Sequence, residues 1–127
     1  MTIPDYVKNA AQQECDNFLA EQTGALAAVI SSADGFDVAS AVTKSLDPAR
    51  IAAMASSIAA IGSVVSQETQ LGVSKSVTVN TEEGVVYIAY IELQGMTYIL
   101  NIIANSSAIL AQIIYNCGEI RKRLKEL

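Results

Sequence analysis

The sequence predicts one α/β sandwich domain over residues 1–127, with element order αββαβββα and a five-stranded antiparallel sheet. Short apolar runs separated by Ser32-Ala33-Asp34-Gly35, Thr81-Glu82-Glu83-Gly84 and Leu93-Gln94-Gly95 read as strands joined by tight turns. The last two runs, VVYIAYIE and MTYILNIIA, are nearly continuous in apolar residues, so both faces of the sheet should be covered. Pro48 to Gln70 reads as a long helix in which only Arg50 and Glu68 are charged, so it lacks an ordinary solvated face. This helix is expected on one face of the sheet and the two terminal helices on the other.

In chain order, residues 5 to 22 carry a one-sided stripe of Val7, Ala11, Cys15, Phe18 and Leu19 and read as the first helix. Gly24 follows its end. Ala25 to Ser31 is a strand, Asp34-Gly35 is the hairpin signal, and Phe36 to Val42 returns. The Thr43 to Pro48 connection leads to the long helix. Asp47 is placed to cap it, and Pro48 suits its first position.

Two stripes run along that helix. Ile51, Met54, Ile58, Ile61 and Val65 form a large apolar one, expected to face the sheet. Ala53, Ser57, Ala60, Val64 and Gln67 form a smaller one, about 200° around the helix. That second face is expected to meet the same helix of a second copy. Gly72 ends the helix. Val73 to Asn80 alternates Val73, Lys75, Val77, Val79 against Ser74, Ser76, Thr78, and its polar content marks an edge strand. Two such edges pairing across a two-fold would make a ten-stranded sheet. The predicted homodimer interface is therefore Ala53, Ser57, Ala60, Val64, Gln67 and residues Val73, Ser74, Lys75, Ser76, Val77, Thr78 and Val79. Val85 to Glu92 and Met96 to Ala104 are the remaining strands. Asn105 or Ser106 should cap a final helix reaching about Lys125, with Leu110, Ile113, Ile114, Cys117, Ile120 and Leu124 inward.

Composition narrows the function. Hydrophobic residues make up 51% and charged residues 17%, where roughly 25% charged is usual; the deficit points to surface buried in an assembly. Net charge is −5 and the pI about 4.5, so nucleic acid is not an expected partner. Arg121, Lys122, Arg123 and Lys125 read as compensation of a helix C-terminal dipole, with a weak anionic-surface contact as the other reading. No apolar run approaches the roughly 18 residues of a membrane span. Cys15 and Cys117 form no CxxC and, without a signal peptide, read as reduced, buried thiols of a cytoplasmic chain.

The absence of histidine excludes histidine-served nucleophiles and removes the commonest zinc ligand. Asp34 and Asp37 flank a turn that itself explains Asp34, Glu82 and Glu83 are turn residues, and neither pair has further ligands. No GxxxxGK[ST] loop occurs, and Ser56, Ser57, Ser63 and Ser66 have no general base nearby in sequence. No catalytic residue, cofactor or metal site is expected, and the chain reads as a non-enzyme.

The element order, SSADGFDVAS, PARIAAMASSIAAIGSVVSQE and YILNIIANSSAILAQIIYNCGEI together resemble the roadblock / dynein light chain domain, over about Asp5 to Leu124. The resemblance implies a profilin-like or longin-like sandwich that dimerises through the long helix and the following strand. It also implies regulation or scaffolding of a small Ras-like GTPase, as in the gliding-motility GTPase regulator. The GTPase would dock on the paired long helices, near Arg50, Ala53 and Ser57. A structural adaptor that links other proteins is the alternative, followed by a small-molecule sensor.

Overall fold

The computed structural model describes residues 3–43 and 45–127; Lys44, inside the Thr43 to Pro48 connection, lies outside the described residues. The elements are α1 (Asp5–Glu21), β1 (Ala25–Ser32), β2 (Asp37–Val42), α2 (Pro48–Thr69), β3 (Ser76–Thr81), β4 (Gly84–Leu93), β5 (Met96–Asn105) and α3 (Leu110–Lys125). Their order is the predicted αββαβββα.

All strands are antiparallel in one sheet, in the order β2-β1-β5-β4-β3. β3 is thus an edge, as its polar alternation predicts. Asp34-Gly35 makes the first hairpin: the Gly35 N–H donates to Ser32 O at 3.1 Å, and Gly35 takes a φ of +96°, where glycine avoids a side-chain clash. On one face α1 and α3 enclose the larger core, with Val7, Cys15, Phe18, Ile113, Cys117 and Leu124 packed on Ile30, Tyr87, Ile91, Leu100 and Ile102. On the other face α2 crosses the sheet diagonally, resting on Ala27 and Val29 near its start and on Ile88 and Ile99 further along.

The structure corrects which face of α2 meets the sheet. Its buried residues are Ile51, Ala52, Ala55 and Ala59, while Met54, Ile61 and Val65 of the large stripe are exposed. The sheet already presents bulky side chains there, including Ile88, Ile99 and Val29, so the space under the helix is closed best by alanines. At Gly62 an added Cβ would lie 2.9 Å from Val77 Cγ2, closer than packing allows.

Three further corrections follow from local chemistry. β3 begins at Ser76, so Val73, Ser74 and Lys75 precede the strand. The Ser66 hydroxyl donates to the Gly72 carbonyl and holds the turn after α2, and the β4 pairing reaches no further than Ala89. α3 begins at Leu110: Asn105 Oδ1 accepts from Ser107 N at 3.0 Å and closes a turn ahead of the helix. Ile114, expected inward, is exposed on the flank of α3 beside the buried stripe of Ile113, Cys117, Ile120 and Leu124.

Candidate protein-docking surface

α2 begins where Asp47 accepts from Ala49 N at 3.0 Å and Pro48 starts the first turn. Its position on the sheet is fixed by three hydrogen bonds besides the alanine contacts. Ser56 Oγ donates to Ala33 O at 2.8 Å, Tyr90 Oη to Ala59 O at 2.9 Å, and Asn101 Nδ2 to Ile51 O at 3.3 Å. These ties are all on the inner side, so the outer side is free.

That outer side is long and apolar. Ala53, Ser57, Ala60, Val64 and Gln67, the predicted small stripe, are all exposed there. Beside them lie Met54, Ile61 and Val65 of the large stripe, whose Ile51 and Ile58 pack on the sheet, so parts of both predicted stripes share one open surface. Ile61 is 63% exposed and Val64 56%. Phe36, at the tip of the β1–β2 hairpin, is 71% exposed, and the neighbouring Gly35 rests against Ala53 and Ser56 of α2. At the far end Leu71 and Val73 are more exposed still. The β3 edge adjoins this surface, with Val77 partly buried beneath α2 and Ser76, Thr78 and Val79 exposed. Arg50 projects from the first turn with its guanidinium 3.9 Å from Asp47. So extended an apolar surface marks a contact site.

Sequence reasoning missed Phe36, Met54, Ile61, Val65 and Leu71 as open residues. A signal existed in a third stripe: Ala52, Ala55, Ala59, Gly62 and Ser66 also repeat at spacings of three and four. By length and apolar composition alone, the 22-residue α2 resembles a membrane-crossing helix, yet its inner side is seated on the sheet.

The remaining surface offers little reactive chemistry. Cys15 and Cys117 are buried, and burial pushes both thiols up to about 12, so neither is a ready nucleophile. Among the described residues, no group of three His, Cys, Asp or Glu side chains is placed to hold a metal ion. A groove of about 430 Å³ between α1 and α3 is lined by Glu14, Glu21, Gln22, Tyr115, Glu119 and Arg123. Arg123 closes one part of it with paired contacts to Glu14 at 2.7 and 2.8 Å. Those bonds raise the guanidinium's pKa further and keep it charged.

The Roadblock/LC7 domain model matches residues 11–104. The chain belongs to the Roadblock/LC7 family. Domains of this family are regulatory and adaptor modules. Among solved structures, the chain is similar to a Roadblock/LC7 domain from Streptomyces avermitilis, with 19% identity and a TM-score of 0.79 over 91% of this chain and 94% of that one. It is similar to MglB of Myxococcus xanthus, with 12% identity and a TM-score of 0.84 over 99% and 92%. The gliding protein MglB of Thermus thermophilus gives 14% identity and a TM-score of 0.82 over 99% and 93%. At these identities the likeness is one of fold. No curated protein matches the chain.

Proposed function

We propose that this Roadblock/LC7 domain is a non-enzymatic, homodimeric regulator of a small Ras-like GTPase, which docks across the paired α2 helices. The observation that carries this reading is the outer side of α2. It runs the length of the helix with Arg50 and Glu68 as its only charges, and Ile61, Val64 and Val65 stay exposed among the described residues. Family membership and the MglB-like fold support it. The β3 edge adjoins α2, so one two-fold would join two β3 strands and set two α2 helices side by side. A surface of Ala, Ser and Val costs little to desolvate and admits a close partner. Arg50, Ala53 and Ser57 would lie at the partner's edge. Arg50 sits on a rigid helix and would meet an acidic switch region rather than act as a catalytic finger.

The test is a pull-down of the cognate GTPase, loaded with GDP or a GTP analogue, by the natural chain, Arg50→Glu and Lys122→Glu. Loss of binding in Arg50→Glu alone supports the α2 surface. Loss in Lys122→Glu alone would place the GTPase elsewhere. The chain's second reading, an adaptor that links other proteins, rests on the same surface; it is favoured if the chain binds its partner equally in both nucleotide states.

A further inference from the structure

We propose that the open flank of α3, on the face of the sheet opposite α2, docks an acidic amphipathic segment of a partner protein. α3 packs over β4 and is tied to α1 along one side, by Arg123 to Glu14 and by Asn116 Nδ2 to Gln22 Oε1 at 2.6 Å. By helical geometry the side away from these residues carries Ala111, Ile114, Gly118, Arg121 and Lys125. That side looks toward the β3 edge, where Arg121 Nε donates to the Tyr90 carbonyl at 3.2 Å, just past the last β3–β4 pair.

Packing within the chain does not account for this flank. Ile114 is 45% exposed, and Ala111 one turn earlier is exposed as well. Gly118 stands mid-helix, where glycine is disfavoured, and a Cβ there would meet nothing within 4 Å. The result is an apolar notch with room for close approach. Its charge selects the occupant. Four of the chain's 8 Lys and Arg residues fall between positions 121 and 125. Arg121 and Arg123 are engaged, but among the described residues no carboxylate lies within ion-pair distance of Lys122 or Lys125. The register sets Thr78 opposite the inward-facing Tyr87, so Ser76, Thr78 and Asn80 add an exposed hydroxyl and amide ledge on this side. The complement of a notch, two free ammonium groups and a polar ledge is a segment with apolar residues on one face and carboxylates beside them. The outer face of α1 in a second copy is no such segment, because Lys8, Gln13, Asp16, Asn17 and Glu21 make it a polar face.

The site goes beyond the GTPase reading and is compatible with it. In a β3-paired dimer the two flanks would be three strand spacings apart, about 14 Å. That spacing holds between the α3 axes, and packed helices sit about 8–10 Å apart, so a partner segment fits over the groove that the two flanks form rather than between them, while α2 is occupied on the other side of the sheet.

The test uses the full chain and a fluorescent synthetic helix with leucine on one face and glutamate on the other. Its lysine counterpart and phosphatidylserine vesicles serve as alternative ligands. Saturable binding of the glutamate helix is expected, weakened at least ~tenfold in the Lys122→Glu, Lys125→Glu double variant. Gly118→Leu should also weaken it, by filling the notch, while the melting temperature holds or rises. Arg50→Glu should leave binding unchanged. Equal binding of the lysine helix, no effect of the double variant, or binding to vesicles but not to the glutamate helix would each overturn the proposal.

Discussion

Among the described residues, Ser31 Oγ and Asn101 Oδ1 are enclosed without a hydrogen-bond partner. They are diagonal neighbours beneath α2, since Val29 pairs with Asn101 and Ser31 with Ile99. An enclosed polar group without a partner costs about 1–3 kcal/mol, so removing the hydroxyl should relieve part of that cost. Ser31→Ala is expected to raise stability by about 1 kcal/mol, read as an increase in the urea midpoint at unchanged slope. A fall of the same size would contradict this account. The two thiols give a second expectation. Burial lifts both from an ordinary value of 9.0 to about 12, with Asp16 adding to the effect at Cys15. The folded thiol therefore keeps its proton where the unfolded one has lost it. Stability is unaffected by these groups below pH 9 and falls as pH rises from 9 to 12, by about 1.4 kcal/mol per pH unit for each thiol. Denaturant titrations should show a shallower alkaline decline for Cys117→Ala than for the natural chain, whatever its stability at neutral pH. The burial of Cys15 and Cys117 is legible in their helical stripes. That of Ser31 and Asn101 is not, because a polar residue in an apolar strand reads the same whether it finds a partner or not.

At the level of elements, the sequence is most informative where local chemistry decides the outcome. Asp34-Gly35 and Asp47-Pro48 mark a turn and a helix start by their own backbone preferences, and both are found as expected. The orientation of α2 depends on what lies under it, which is set by strands far along the chain. A large apolar stripe reads as core only while the opposing surface has room. Here Ile88, Ile99 and Val29 fill the layer, and Ala52, Ala55 and Ala59 close it. Ala55, fully buried, has no space for a larger side chain. Ala55→Leu is expected to cost about 1–3 kcal/mol through overpacking. Ile61→Ser, on the open side, is expected to change stability by no more than about 0.5 kcal/mol. Thermal unfolding of the two variants compares the faces directly. A larger loss in Ile61→Ser than in Ala55→Leu would show that the outer side packs within the chain.

The scale of the whole molecule brings the two open surfaces together. One covers the outer side of α2 and continues along the β3 edge; the other is the flank of α3, and the sheet separates them. The low charged fraction of 17% has its physical counterpart in α2, whose outer side is apolar and, among the described residues, lacks a covering element. An edge strand beside such a helix is a template for its own copy, because a two-fold makes every contact twice. We expect the chain to be a dimer at micromolar concentration, joined through α2 and β3. Ala60 is exposed in the monomer, so Ala60→Glu should leave the fold intact and act on assembly alone. A carboxylate set between two closely packed helices would be unpaired and costly to bury. Light scattering should therefore give a dimeric mass for the natural chain and a monomeric mass for Ala60→Glu, with unchanged circular dichroism. Ile114→Glu, on the opposite side of the sheet, should remain dimeric. A monomer in the natural chain would remove the dimer, and a dimer in Ala60→Glu that dissociates in Ile114→Glu would move the interface to α3.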